Sequence, residues 1–68
     1  MEKYPVKNVI ITYCMEEPYG YLLCWHDIYQ SGSSDYREHL LSADSIEDAV
    51  VEAAKFLGIS KDEVRIFL

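Results

Sequence analysis

Cys24 and His26 stand two residues apart in the stretch YGYLLCWHDIYQ, residues 19 to 30. On a strand, residues at that spacing share one face. Cys14 and His39 complete the chain's set of thiols and imidazoles. These are the types that ligate zinc, and a thiol beside an imidazole is also the raw material of a nucleophile and its base. The spacing matches no zinc-finger pattern. Nothing marks an orienting third group or an oxyanion hole. The three glycines are scattered and build no phosphate-cradling loop. The chain therefore reads as non-enzymatic, without metal or cofactor, its thiols serving as small apolar side chains on a half-buried face. A Cys14–Cys24 bridge would fit the geometry only if the two lay opposite each other across a hairpin. A reducing compartment would leave them as thiols.

The elements that must position these groups can be read from periodicity. Residues 8 to 16, NVIITYCME, are rich in β-branched and aromatic types and read as a strand. Pro18 suits the first inner position of a type I turn, with Gly20 at a left-handed position after it. A second strand, 21 to 30, then returns. A loop of Pro18, Tyr19 and Gly20 would set Cys14 opposite Cys24, Thr12 opposite His26, Ile10 opposite Ile28 and Tyr13 opposite Trp25. SGSS, 31 to 34, is a loop by composition, and 36 to 43 is a third strand. Ser45 is a helix N-cap with Asp48 three places on, and Gly58 stands at the C-cap. Between them Ile46, Ala49, Val50, Ala53 and Leu57 recur at helical spacing. Residues 60 to 63 form a short capped turn and 64 to 68 a last strand.

The expected fold class is therefore α+β, in the order β-β-β-α-β, as a single domain over residues 1–68. Small side chains at Ala49 and Ala53 would let the helix sit close to a sheet face of large ones: Tyr13, Met15, Tyr21, Leu23, Trp25 and Tyr29. One helix covers one face. Ile10, Cys14, Leu22, Cys24 and Ile28, with His26 among them, would then lie on an open face, and an apolar patch of that kind marks a contact with another polypeptide.

Charge narrows what that polypeptide is. The net charge is −6 and the isoelectric point about 4.6. Phosphates are bound by Lys and Arg, so direct nucleic-acid binding and anionic membranes are disfavoured. Between Glu16 and Glu52, Arg37 is the only Lys or Arg against nine acidic residues. Part of that excess is ordinary helix-start chemistry: Asp44, Glu47 and Asp48 meet the positive end of the helix dipole, worth roughly 0.3–1 kcal/mol each. Glu16, Glu17 and Glu52 go beyond it. The expected contact set is thus Ile10, Leu22, Cys24, His26 and Ile28 with Glu16, Glu17, Asp44, Glu47, Asp48 and Glu52. The expected partner is a basic nucleic-acid-binding protein, with a homodimer as the other way to cover the face. No secretory pattern opens the chain and no apolar run approaches the roughly 20 residues that span a bilayer, so a cytoplasmic location is expected.

Three short stretches carry a resemblance. KYPV at Lys3 to Val6, the Gly20-Tyr21 step opening the second strand, and DSIEDA at Asp44 to Ala49 are similar to features of the N-terminal domain of HicB-type antitoxins. The resemblance spans roughly residues 3 to 57. It implies a β-β-β-α-β, partial RNase H-like fold and a small basic RNase toxin as partner. The chain departs from that family after the second strand, where DIYQSGSS stands in place of PDLPGC. In profile, as a very small acidic domain without a catalytic motif, it also resembles phage inhibitors of bacterial defence, anti-CRISPR proteins among them.

Overall fold

A computed structural model describes residues 5–68. Lys3 and Tyr4 of the KYPV stretch lie outside the described residues. Strand β1 is Val6–Cys14, β2 Gly20–Ile28, β3 Ser34–Leu40 and β4 Arg65–Ile66, with helix α1 at Ile46–Leu57 and a 3-10 turn at Lys61–Glu63. The order is the expected β-β-β-α-β, a small α+β fold. The sheet runs β3-β2-β1-β4. β1 and β3 flank β2 antiparallel, and β4 lies parallel to β1. A parallel neighbour needs a long crossover, which α1 supplies.

The helix limits follow from local chemistry. Ser45 Oγ accepts the Asp48 N–H at 3.2 Å, tying down a donor that no helical carbonyl can reach. At the other end Gly58 adopts φ 68°, a left-handed conformation that costs glycine nothing, and its N–H bonds the Ala54 carbonyl. Ser60 and Glu63 form a reciprocal capping box around the 3-10 turn.

Ala49, Ala53, Ala54 and Leu57 are buried by α1, and Ile11 and Leu23 are sealed beneath it, with Val9, Trp25 and Leu41 around them. The alanines allow the helix backbone to approach the sheet. Phe56 extends this layer sideways, meeting Trp25 edge-on at 5.8 Å and stacking on His39 at 4.1 Å.

The hairpin register differs from the one expected of a short Pro18-Tyr19-Gly20 loop. The connection runs from Met15 to Tyr19, and the Glu17–Pro18 peptide is cis. Cys14 faces Gly20, Tyr13 faces Tyr21, Thr12 faces Leu22 and Ile10 faces Cys24. From Ile10 to Cys14 the partner of each β1 residue is thus displaced by four positions. Strand faces have period two, so an even displacement leaves the residues from Ile10 to Cys14 on their expected faces. It does move the hairpin tip. Met15 joins the loop, and Met15 and Tyr13 are exposed rather than in the core. The thiols are also separated, and both cysteines are free.

Near the start of β1 a bulge interrupts the regular alternation that the sequence pattern predicts. Pairing slips between Lys7 and Ile10, and Asn8 takes φ 55°. An extra residue in one strand reverses the alternation beyond it. Val6, which regular alternation would place on the open face, thereby packs against the core beside Val9. Asn tolerates the left-handed conformation better than most residues.

Candidate functional site

The open side of the sheet is built by alternation along three long strands and the end of a fourth. Across the tip-proximal row, Thr12 faces Leu22 and Leu22 faces Leu40. In the next row Arg65, Ile10, Cys24 and Glu38 lie side by side. Beyond it His26 faces Lys7 on one side and Tyr36 on the other, and Ile28 faces Ser34. Every buried residue of β1 and β2 points the opposite way, toward α1. No open-face residue is fully buried, and no described element packs over it. Ile10, Leu22, Cys24, His26 and Ile28 are therefore gathered on one half-buried surface, as expected.

Tyr36, Leu40 and Phe67 enlarge that surface and were missed. Tyr36 and Leu40 alternate with Arg37 and His39, so their side is fixed once β3 is known to pair with β2. Phe67 follows from its neighbour: Ile66 is paired with core-facing Ile11, and the Phe67 N–H bonds the Ile11 carbonyl at 2.8 Å. The next side chain in an extended chain points to the other face, and Phe67 is 74% exposed.

The polar groups on this face are organised around Tyr36. Its hydroxyl donates to Glu38 Oε2 at 2.8 Å. The Cys24 side chain, then Glu38, then partial burial push the phenol well above the usual tyrosine range. The His26 ring meets Tyr36 edge-on at 5.3 Å. His26 Nδ1 is sealed from solvent and has no hydrogen-bond partner among the described residues. His39 lies on the opposite side of the sheet, against Phe56. Cys14 pairs with Gly20, four residues along β2 from Cys24. So Cys14, Cys24, His26 and His39 do not converge, and among the described residues no three His, Cys, Asp or Glu side chains are placed to ligate a metal.

The acidic set gathers at one end. β3 ends beside Leu22, at the hairpin-tip end of the sheet, and the chain turns there into α1. The N-terminus of α1 therefore lies at the end that carries Glu16 and Glu17. A cleft lined by Tyr13, Tyr19, Gly20, Ser42 and Asp44 joins the two segments. Glu16, Glu17, Asp44, Glu47 and Asp48 are all exposed. Glu52 departs from the expectation. It is half-buried, and its carboxylate accepts the Ser42 N–H and hydroxyl at 3.1 Å. Its charge fastens the β3–α1 connection to the helix and is not a free surface group.

No protein-family model, no curated protein and no solved structure matches the chain. Among the described residues no helix is long and apolar enough to cross a membrane.

Proposed function

We propose that the protein is a non-enzymatic inhibitor that sequesters a basic nucleic-acid-handling protein, in the manner of phage counter-defence (anti-CRISPR-like) inhibitors. The observation that carries this reading is the adjacency of two surfaces. The row of Thr12 with the apolar Leu22 and Leu40 ends at the hairpin tip. The exposed carboxylates of Glu16, Glu17, Asp44, Glu47 and Asp48 begin there. Carboxylates steer and orient a cationic surface, and the apolar side chains hold it once water is expelled. A protein that grips phosphates presents such a cationic surface.

Affinity capture from a bacterial lysate tests this. The expected partner is a basic nucleic-acid-binding protein, recovered at about 50 mM salt and lost at several hundred millimolar, because the steering charges are screened. The variant Glu16→Lys, Glu17→Lys, Glu47→Gln, Asp48→Asn leaves the Glu52–Ser42 contacts intact and weakens capture by about tenfold or more. Undiminished recovery by that variant would remove the acidic end from the contact and sink the reading.

A second reading is favoured by the element order, which is the one the HicB resemblance implies. In it the same surfaces hold a small basic RNase inactive. The captured protein separates the two, since the antitoxin reading requires a small RNase whose RNA cleavage stops on addition of this chain.

A further inference from the structure

We propose that β3 is a self-complementary edge through which two copies pair antiparallel, centred on Tyr36, to form one continuous eight-stranded sheet. β3 is the outer strand of the sheet, and its far side meets no other described strand. The direction of its backbone groups is fixed by two bonds at its ends: the Leu41 N–H goes to the Tyr21 carbonyl, and the Ser33 carbonyl accepts the Tyr29 N–H. Odd-numbered residues between them thus face β2, and Ser34, Tyr36, Glu38 and Leu40 turn their N–H and carbonyl groups outward. A two-fold axis at Tyr36 satisfies six of these groups as hydrogen-bonded pairs, Tyr36 with Tyr36 and Ser34 with Glu38 in both directions.

Charge selects this register over the next one. With the axis at Tyr36, Asp35 of each copy lies directly opposite Arg37 of the other, on the helix side of the sheet. Both side chains are about half exposed, and within one copy they are already 3.6 Å apart, so each carboxylate can bridge two guanidinium groups. With the axis moved to Arg37, the two Arg37 side chains would face each other as a non-hydrogen-bonded pair, the closest cross-strand approach. With the axis at Glu38, the two Glu38 carboxylates would be opposed. Charged edge strands ordinarily block association. Here the order Asp35-Tyr36-Arg37-Glu38 blocks the registers centred on Arg37 and Glu38 and favours the one centred on Tyr36. The open face and the acidic end remain free in such a pair, so this inference stands apart from the proposed function.

Sedimentation equilibrium on the full chain tests it. The wild type is expected to dimerise with a dissociation constant in the micromolar range, since an edge contact is small beside standard interfaces. Arg37→Ala removes both cross-copy ion pairs and weakens the dimer by about 3- to 10-fold. A tighter dimer in that variant would indicate the Arg37-centred register and overturn the proposal. Asp35→Arg weakens it similarly, and Asp35→Arg with Arg37→Asp restores it to within about threefold, because the pairing is recreated with the signs exchanged. Tyr36→Pro removes an outward N–H that β2 does not use, so the fold survives by circular dichroism while association falls by about 100-fold or more. A wild type that stays monomeric to about 1 mM, or a Tyr36→Pro protein that remains folded and dimeric, would also overturn it.

Discussion

Tyr36 shows how far a single side chain can be displaced from its ordinary chemistry on an open sheet face. Its phenol lies beside the Cys24 side chain and donates to the Glu38 carboxylate, and both favour the neutral form. A group whose pKa is raised on folding holds its proton more tightly in the folded state. Its contribution to stability is therefore complete below the ordinary tyrosine pKa and is lost as pH rises through the elevated one. In an ultraviolet titration of the folded protein, one phenol should ionise later than the rest. Tyr36→Phe should delete that late phase, and Cys24→Ala should bring it to lower pH, because Cys24 is its largest cause. A late phase that persists in Tyr36→Phe would assign it to another tyrosine and void the account. Glu52 teaches the complementary lesson. Its charge looks from the sequence like its neighbours Glu47 and Asp48, yet it is committed to Ser42.

At the scale of elements, the sheet has one side closed by α1 and one side open, and two adjacent leucines separate them. Leu23 is fully sealed beneath the helix, whereas Leu22 lies half-buried on the open face. Leu23→Ala should cost about 2–5 kcal/mol in urea denaturation, and Leu22→Ala less than about 1.5 kcal/mol. Equal losses would mean that the open face is covered. This division into faces was legible in the sequence, and so was the helix from Ser45 to Gly58. Caps and periodicity are local chemistry, written within a few residues. The hairpin register was not legible. It depends on the loop length, and Pro18 is compatible with both a short and a long connection. The face assignment survived because the displacement was even. The bulge at Asn8 turned Val6 into the core, and nothing in VKNV distinguishes it from a regular strand. Of the candidate site, the apolar positions on β1 and β2 were readable. Tyr36 and Leu40 awaited the pairing of β3, and Phe67 awaited the parallel docking of β4.

At the scale of the molecule, the described residues carry their exposed carboxylates mainly at one end, and that polarity has a consequence for stability as well as for recognition. Glu16, Glu17, Asp44, Glu47 and Asp48 share the hairpin-tip end, while Lys7 and Arg65 lie further along the open face and Lys61 alone of the described Lys and Arg side chains lines a cleft with Glu47 and Asp48. Folding therefore gathers like charges that the unfolded chain holds further apart. Two like charges about 10 Å apart in water repel by about 0.4 kcal/mol, and several such pairs act together at the tip. Among the described residues the compensating ion pairs are Arg37 with Asp27 at 3.4 Å and with Asp35 at 3.6 Å; Arg37 is about half exposed in both, so they contribute little. Repulsion should outweigh attraction, so salt that screens both should stabilise the fold. The urea midpoint is expected to rise between about 20 mM and 300 mM sodium chloride, where the screening length falls from tens of ångströms to a few. Glu16→Lys with Glu17→Lys should raise the low-salt midpoint and flatten the salt dependence, because these two residues lie in a loop and cap no helix. A midpoint that falls with salt would mean that attraction dominates. The acidic end would then be neutralised within the fold itself, leaving no surplus negative field to steer a cationic partner.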